Sequence, residues 1–202
     1  MPSRGLIVFA AIWVVALGFG MGALHNFAST PGNPGAPLPT WPRDTRLVPS
    51  HELATLVMLA HPHCPCTGAS LGELAKLMTR LKGQLVAHVV FVQPRGAAHG
   101  WGKTDIASRA EAIPGVEVHV DRDGAEARRF GAKTSGQTLV YDAGGTLRFS
   151  GGITGARGHE GDNAGEDDIV ELIEHATSSQ TSSRVLGCAL FDANAAPAVR
   201  TP

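Results

Sequence analysis

Apolar residues in this 202-residue chain group either into continuous runs of strand length or into helical spacings. Two continuous runs predict strands that are buried on both faces. One alternating run predicts a third strand, and two runs around Ala143-Gly144-Gly145 predict a hairpin. Apolar residues three and four positions apart predict helices. The predicted strands are residues 53–60, 85–92, 116–120, 138–142 and 146–152, and the predicted helices are residues 70–82, 104–112, 125–130 and 166–177.

The order of these elements predicts the fold class. A strand–helix–strand connection gives parallel neighbours, and a hairpin gives antiparallel ones. We therefore predict an α/β fold of three layers, with a mixed central sheet and helices on both faces. In the first of these helices Ser70 and Glu73 have the spacing of a capping box, which predicts that this helix begins at Ser70.

Residues 6–23 form an uncharged apolar segment near the N-terminus. As a helix this segment would be about 27 Å long, close to the bilayer core of about 30 Å. Arg4 precedes it and the next Lys or Arg is Arg43, so the positive-inside rule predicts a cytoplasmic N-terminus and a domain facing the periplasm or exterior. A cleaved signal peptide is the alternative, but cleavage after Ala28 would place Asn26 where a small residue is required. A retained single-pass membrane anchor is therefore the prediction.

Composition divides the chain into four predicted regions. The proline-rich linker is predicted to be an extended spacer that holds the domain away from the membrane, because proline fixes the backbone and lacks an amide donor. The regions are the anchor or signal peptide (1–28), the linker (29–50), the domain (51–178) and a tail (179–202) that is polar apart from the sequence VLGCALF.

Charge and cysteine content exclude several classes of protein. The formal net charge is −1 and acidic and basic residues are interspersed, which gives no basic surface for a nucleic-acid partner. Three cysteines fit neither a disulfide-stapled miniprotein nor a zinc ribbon with paired knuckles.

Two of the three cysteines lie in the sequence His61-Pro62-His63-Cys64-Pro65-Cys66, between a predicted strand and a predicted helix. A helix N-terminus and nearby protonated imidazoles would lower the pKa of a thiol, which favours redox chemistry by a thiolate. The same residue types are ligands for copper or zinc. A third alternative is an inert pair of turn residues.

The cysteine motif, the run VDRDGAEARRFGA and the hairpin TLVYDAGGTLRFSGG resemble the thioredoxin-like superfamily over residues 51–177. Within it, HPHCPCT together with GITGARGHEGDN is similar to membrane-anchored bacterial RedB-type proteins. The resemblance implies a thiol–disulfide oxidoreductase that acts on protein thiols or disulfides without a cofactor. It also implies that Cys64 is the more exposed thiol and the nucleophile, that Cys66 resolves the mixed disulfide, and that His61 and His63 tune the thiolate.

The sequence departs from thioredoxins in two places. A single residue separates the cysteines, and Gly136 or Gln137 stands where thioredoxins have a cis-proline that keeps metals off the thiols. Copper-delivery proteins of the synthesis-of-cytochrome-oxidase type share the fold and use a cysteine pair plus a distant histidine. The alternative function is therefore a carrier of copper or zinc. Its predicted ligands are Cys64, Cys66, His61, His63 and His159.

Three other features complete the set of candidates. The glycine-rich loop at residues 152–163 either forms the rim of a site or is a solvated loop. Cys188 is predicted to pack as a small hydrophobic residue, and the alternative is that it folds back to resolve a disulfide or to ligate a metal. His88 and His119 fall in predicted strands and are predicted to be packed or edge residues rather than ligands.

Overall fold

A computed structural model describes residues 3–98, 100–175 and 180–191 of the chain. The sheet has the strand order β3-β2-β1-β4-β5-β6. Neighbours β1 and β2, β2 and β3, and β5 and β6 are parallel, whereas β4 is antiparallel to both β1 and β5. The predicted α/β fold with a mixed sheet is confirmed. The elements are α1 (Arg4–Ser29), β1 (Ala54–Ala60), α2 (Pro65–Arg80), β2 (Leu85–Gln93), α3 (Asp105–Glu111), β3 (Val116–Arg122), α4 (Ala125–Arg129), β4 (Gln137–Tyr141), β5 (Leu147–Gly151), α5 (Ala164–Glu174) and β6 (Thr181–Ser182).

Strand β1 is central because both of its faces are apolar. Successive side chains of a strand point to opposite faces, and Leu56 and Met58 enter the core cluster beneath α2, α3 and α5. Val57 and Leu59 enter the other cluster, which α4 covers together with residues from outside the predicted domain. All four side chains are 0% exposed. Both faces of β1 are therefore covered up to its end, where the cysteine motif begins.

Helix α2 begins at Pro65, so the prediction that it begins at Ser70 is wrong. Cys64 is the N-cap residue and Pro65 occupies the first turn, where its missing amide costs no hydrogen bond. Ser70 lies inside the helix and donates a hydrogen bond to the Cys66 carbonyl at 3.3 Å. Glu73 is fully buried and accepts a hydrogen bond from the Gly161 amide at 2.6 Å. The capping-box spacing is therefore coincidental, and both cysteines belong to the start of the helix.

Residues 30–49, here named the strap, are extended as predicted, but they do not form a free-standing spacer. Gly32 donates its amide to Val185 at 2.8 Å, and Trp41 donates its amide to Gly145 at 2.8 Å. Two further backbone bonds join the strap to the domain, between the Ala36 amide and the Gly131 carbonyl and between the Leu147 amide and the Pro39 carbonyl. The strap therefore lies along the domain, and the expectation of a detached linker is corrected.

Side chains of the strap extend the core beyond the boundary predicted at residue 51. The indole of Trp41 packs edge-on against the rings of Phe130 and Tyr141, with centroid distances of 5.2 Å to each. Leu47 is 4% exposed and belongs to the same core cluster. Apolar burial of this kind is worth about 1.5–3 kcal/mol per large side chain, so the strap contributes to the stability of the domain.

Helix α1 is the one helix among the described residues that is long and apolar enough to cross a membrane. None of its residues is buried against the domain, which leaves an apolar surface on every side. The helix agrees with the predicted apolar segment. Whether it is a retained anchor or a signal peptide stays a prediction.

The tail packs against the domain over its described part, residues 180–191. Strand β6 pairs with β5 at the sheet edge, and Val185, Leu186 and Leu190 are each 5% exposed or less. The apolar sequence VLGCALF thus covers the domain surface, with Cys188 in the middle of it. Residue 179 and residues 192–202 of the predicted tail lie outside the described residues.

Candidate functional site

Three cysteines meet at the N-terminus of α2. The sulfur atoms of Cys64, Cys66 and Cys188 all lie within 4.8 Å of one another, and the Cys64 and Cys188 sulfurs are 3.2 Å apart. All three are free thiols. These residues, named the cysteine cluster below, join two parts of the chain that are 124 positions apart in sequence.

The turn between β1 and α2 positions Cys64. Its amide donates to the His61 carbonyl at 3.1 Å, and its carbonyl accepts from the Thr67 amide at 2.9 Å. The Thr67 hydroxyl also donates to the His61 carbonyl at 3.0 Å. At the N-cap, the Cys64 sulfur faces amides of the first helical turn that have no partner inside the helix, and the helix dipole favours a negative charge there.

Residues 133–136 connect the turn to the tail. The Ser135 hydroxyl accepts the His61 amide at 2.9 Å, and the Ser135 amide donates to the Cys188 carbonyl at 2.8 Å. The Leu190 amide donates to the Lys133 carbonyl at 2.9 Å. A β-carbon at Gly187 would lie 1.9 Å from the Ser135 carbonyl oxygen, so only glycine lets the tail approach this closely. One segment therefore aligns both halves of the cysteine cluster.

The same segment stands where thioredoxins have their cis-proline. Gly136 has a φ of +85°, a conformation that favours glycine, and its amide donates to the Leu59 carbonyl at 2.8 Å. No cis peptide bond occurs in the part of the chain that the structure describes. The loop therefore keeps a backbone contact with β1 but presents no proline ring to the thiols.

The positions of the cysteines contradict two expectations. Cys64 is 3% exposed, Cys66 is half-buried and Cys188 is exposed. The prediction that Cys64 is the more exposed thiol is therefore wrong, because the Cys188 side chain of the tail lies against its sulfur. The prediction that Cys188 packs as a small hydrophobic residue is also wrong, since its side chain lies in the cysteine cluster.

The three thiols differ in their pKa values. Burial raises the pKa of Cys64, but hydrogen bonds from the Cys188 thiol and from backbone amides to its sulfur outweigh burial, and the net shift is downward. Burial raises the pKa of Cys66, and the charge of Cys64 raises it further. Burial, the hydrogen bond to the Cys64 sulfur and the charge of Cys64 raise the pKa of Cys188 to about 12. Cys64 is therefore the thiol that ionises first, and Cys188 keeps its proton and donates it to the Cys64 sulfur.

Arg157 from the glycine-rich loop supplies a positive charge that acts on the cysteine cluster. Its guanidinium donates to the Gly187 carbonyl and to the Thr30 carbonyl, and its charge acts to lower the pKa of both Cys66 and Cys188, although burial outweighs it. The loop at residues 152–163 thus contributes one side chain to the rim of the cysteine cluster. Asn163, at the end of the loop, caps α5 through a hydrogen bond from the Glu166 amide at 2.9 Å.

The histidines of the motif lie beside an indole. The His63 Nε2 atom lies 2.8 Å from the Trp101 carbonyl oxygen, and the Trp101 ring is 4.6 Å from the His63 ring and 5.0 Å from the His61 ring. Among the described residues, no histidine joins the group of mutually close sulfur atoms. The tuning of the thiolate by His61 and His63, and metal ligation by these two and His159, therefore stay predictions. Trp101 had no sequence signal, because it lies in a loop without periodicity.

Comparisons with known proteins agree with this architecture. No family model and no curated protein matches the chain. A solved structure of an uncharacterized conserved protein from Geobacillus kaustophilus is 15% identical, with a TM-score of 0.57 over 83% of this chain and 95% of that one. A hypothetical protein from Sinorhizobium meliloti is 18% identical, with a TM-score of 0.54 over 80% and 93% of the two chains. A secreted disulfide oxidoreductase from Mycobacterium tuberculosis is 13% identical, with a TM-score of 0.44 over 62% and 83%.

The sheet order decides the fold. A β1–α2–β2 unit and a β4–β5–α5 unit meet with the strands in the order β2-β1-β4-β5, and the cysteine motif lies between β1 and α2. The fold is thioredoxin-like. Strand β3 extends this thioredoxin-like sheet at one edge and β6 extends it at the other. The narrower similarity to RedB-type proteins stays a prediction.

Proposed function

We propose that this thioredoxin-like chain is a thiol–disulfide oxidoreductase whose nucleophile is Cys64. The observation that carries the proposal is the 3.2 Å contact between the Cys64 and Cys188 sulfurs. Through this contact one thiol stabilises the thiolate of the other, and the two sulfurs are close enough to become bonded after a small movement. Protein disulfides or thiols are the proposed substrates.

In the first step the Cys64 thiolate attacks a substrate disulfide. A bond forms between the Cys64 sulfur and one substrate sulfur, the substrate S–S bond breaks, and the second substrate sulfur leaves as a thiolate that takes a proton from water. Because Cys64 is buried, the Cys188 side chain must move aside for the substrate to reach it. The exposed position of Cys188 is consistent with such a movement.

In the second step Cys188 resolves the mixed disulfide. Once Cys64 is bonded to substrate it carries no charge, so one cause of the high pKa of Cys188 is removed, and the Arg157 charge favours ionisation. The Cys188 thiolate then attacks the Cys64 sulfur, a Cys64–Cys188 disulfide forms, and the reduced substrate leaves. The substrate gains two electrons, which the two cysteines lose. A dithiol reductant restores the protein, and the reverse sequence oxidises a substrate dithiol.

Replacing Cys64 with Ser is expected to reduce the catalysed rate to the uncatalysed rate, because a hydroxyl cannot form the mixed disulfide. The full-length chain in detergent would be assayed for insulin reduction and for refolding of a scrambled disulfide substrate. Equal activity of the Cys64→Ser variant and the wild type, or no activity in either, would contradict the proposal.

A second function, metal binding, is supported by the cluster of three sulfur atoms within 4.8 Å of one another. Thiolates are soft ligands that suit monovalent copper or zinc. In this alternative Cys64, Cys66 and Cys188 would bind the ion, and the protein would be a metal carrier rather than an oxidoreductase.

Metal analysis of the reduced chain distinguishes the two functions. In protein purified without a chelator or a histidine tag, the oxidoreductase proposal predicts substoichiometric copper and a zinc content that the Cys66→Ala replacement leaves unchanged. One equivalent of either metal in the wild type, lost in the Cys66→Ala variant, would favour the carrier. The variant is informative because Cys66 is a ligand in the carrier but takes no part in the two redox steps proposed above.

For the location of the chain, we propose that α1 is a single-pass anchor with the domain outside the cytoplasm. The length and apolar surface of α1 support a membrane-spanning helix, and the position of Arg4 supports the orientation. An alkaline-phosphatase fusion at Ala143 is expected to be active and a fluorescent reporter that folds only in the cytoplasm to be dark. The reverse pattern would contradict the orientation.

A further inference from the structure

A second group of ligand-type side chains lies on β2 and β3, separate from the cysteine cluster. His88 on β2 lies directly opposite Glu117 on β3 in the parallel register. His119 follows two residues after Glu117, on the same face of the strand. Strand β3 is the sheet edge. The three side chains therefore converge on one accessible patch, and they take no part in the proposed thiol chemistry.

The distances between their polar atoms match those of a metal site. The Nδ1 atom of His88 lies 3.0 Å from the Nε2 atom of His119. Oxygens of the Glu117 carboxylate lie 3.6 Å from the His88 nitrogen and 3.8 Å from the His119 nitrogen. A tetrahedral zinc ion with bonds of about 2.0–2.1 Å separates its ligand atoms by about 3.3–3.4 Å. The observed separations lie on both sides of this value.

The strap fixes the orientation of His88. The Nε2 atom of His88 lies 3.0 Å from the Val48 carbonyl oxygen, which can only accept, so Nε2 carries a proton. In the neutral ring the lone pair is then on Nδ1, the atom that faces His119 and Glu117. A backbone carbonyl that holds the non-ligating nitrogen is the usual second-shell support of a metal-binding histidine.

Exposure increases from the first ligand to the last. The side chain of His88 is 7% exposed, that of His119 is 26% exposed and that of Glu117 is 70% exposed. An ion can therefore enter from solvent, and one coordination position remains open to water. His88 is buried and held by the Val48 carbonyl, whereas His119 and Glu117 are accessible to solvent. The site is therefore preformed and open to solvent.

We propose that His88, Glu117 and His119 form a binding site for a divalent transition metal, with Zn²⁺ as the ion that the ligands fit best. The ligands are two imidazole nitrogens and a carboxylate, a set that suits Zn²⁺ and does not need a thiol. The bound ion links β2 to β3, and through the Val48 carbonyl it also stabilises the docked strap. The site is separate from the cysteine cluster, because His88 pairs with Val57 in β1 whereas the cysteines follow the far end of that strand.

The proposal is tested on the full-length chain in detergent, with Cys64, Cys66 and Cys188 all replaced by Ser so that no thiolate competes for the ion. Titration calorimetry with Zn²⁺ alone is expected to give one site per chain, and the ion is expected to raise the unfolding temperature. His119→Ala and Glu117→Gln are each expected to weaken binding at least tenfold and to reduce this rise. A Co²⁺ titration is expected to give a tetrahedral ligand-field spectrum without a thiolate charge-transfer band.

The matched control is His175→Ala. His175 and Glu171 form an exposed pair one helical turn apart, so the variant removes a surface histidine beside a carboxylate without touching the proposed ligands. Its affinity for Zn²⁺ is expected to equal that of the parent. Titration of wild-type chain with alkylated thiols gives a second measurement that does not depend on the triple variant. Absence of binding in both parents, or equal affinity in His119→Ala and His175→Ala, would overturn the site.

Discussion

Replacing Cys188 with Ala is expected to trap the chain as a mixed disulfide with its substrate. Cys64 can still attack, but the sulfur that lies 3.2 Å away is missing, so the covalent intermediate becomes the main product instead of a transient one. The variant is also expected to have a higher pKa at Cys64, because alanine cannot donate the hydrogen bond that stabilises the thiolate. Non-reducing gels and mass spectrometry detect the intermediate, and alkylation rates measured against pH give the pKa.

Three variants make this prediction specific. Cys188→Ser keeps a hydroxyl donor near Cys64, so it is expected to trap the intermediate while raising the pKa of Cys64 less than alanine does. Gly187→Ala keeps the sulfur but brings a β-carbon to within 1.9 Å of the Ser135 carbonyl oxygen, so resolution is expected to slow. Cys66→Ser is expected to resolve the intermediate normally. A trapped intermediate in Cys66→Ser but not in Cys188→Ala would assign resolution to Cys66, as in the family that the motif resembles.

Beginning the chain at residue 51 is expected to destabilise the domain by about 4 kcal/mol relative to a chain that begins at residue 30. The shorter chain loses the burial of Trp41 and Leu47 and the backbone bonds of the strap, partly offset by the entropy of about twenty released residues. For a domain of this size the unfolding temperature should fall by about 10 °C.

Denaturant unfolding of the two truncated chains measures this difference, and the longer chain is the control because it also lacks α1. Trp41→Ala in the longer chain should give about half of the effect. Equal midpoints for the two truncated chains would mean that the strap adds nothing to stability and would restore the boundary at residue 51.

The bounds of strands that are buried on both faces could be predicted from the sequence most accurately. The apolar runs place β1 and β2 within one residue of their observed bounds. A strand in the middle of a sheet is an almost continuous apolar run, so the first and last apolar residues mark its ends. The start of α2 could not be predicted from its capping signal. Ser70 and Glu73 match a capping box in spacing, but the fold buries both side chains for other contacts.

Only part of the cysteine cluster could be predicted from the sequence. Cys64 and Cys66 were recognisable because they lie at a strand-to-helix junction. Cys188 was not, because its contact spans 124 positions and leaves no local pattern beyond the apolar run around it. The position of the strap likewise depends on contacts with distant residues. Proline content predicts its extended backbone, but its position depends on backbone hydrogen bonds to the distant residues Gly131 and Gly145.

The contacts of Arg157 limit how far the cysteine cluster can lie from the end of α1. One guanidinium bonds both the carbonyl of Thr30, which ends α1, and the carbonyl of Gly187, which precedes Cys188. If α1 spans a membrane as proposed, this guanidinium ties the end of the membrane helix to the residue before Cys188, so the cysteine cluster stays close to the bilayer surface. We therefore expect substrates held at the same membrane to reach Cys64, once Cys188 has moved aside, more readily than bulky proteins in the bulk solvent.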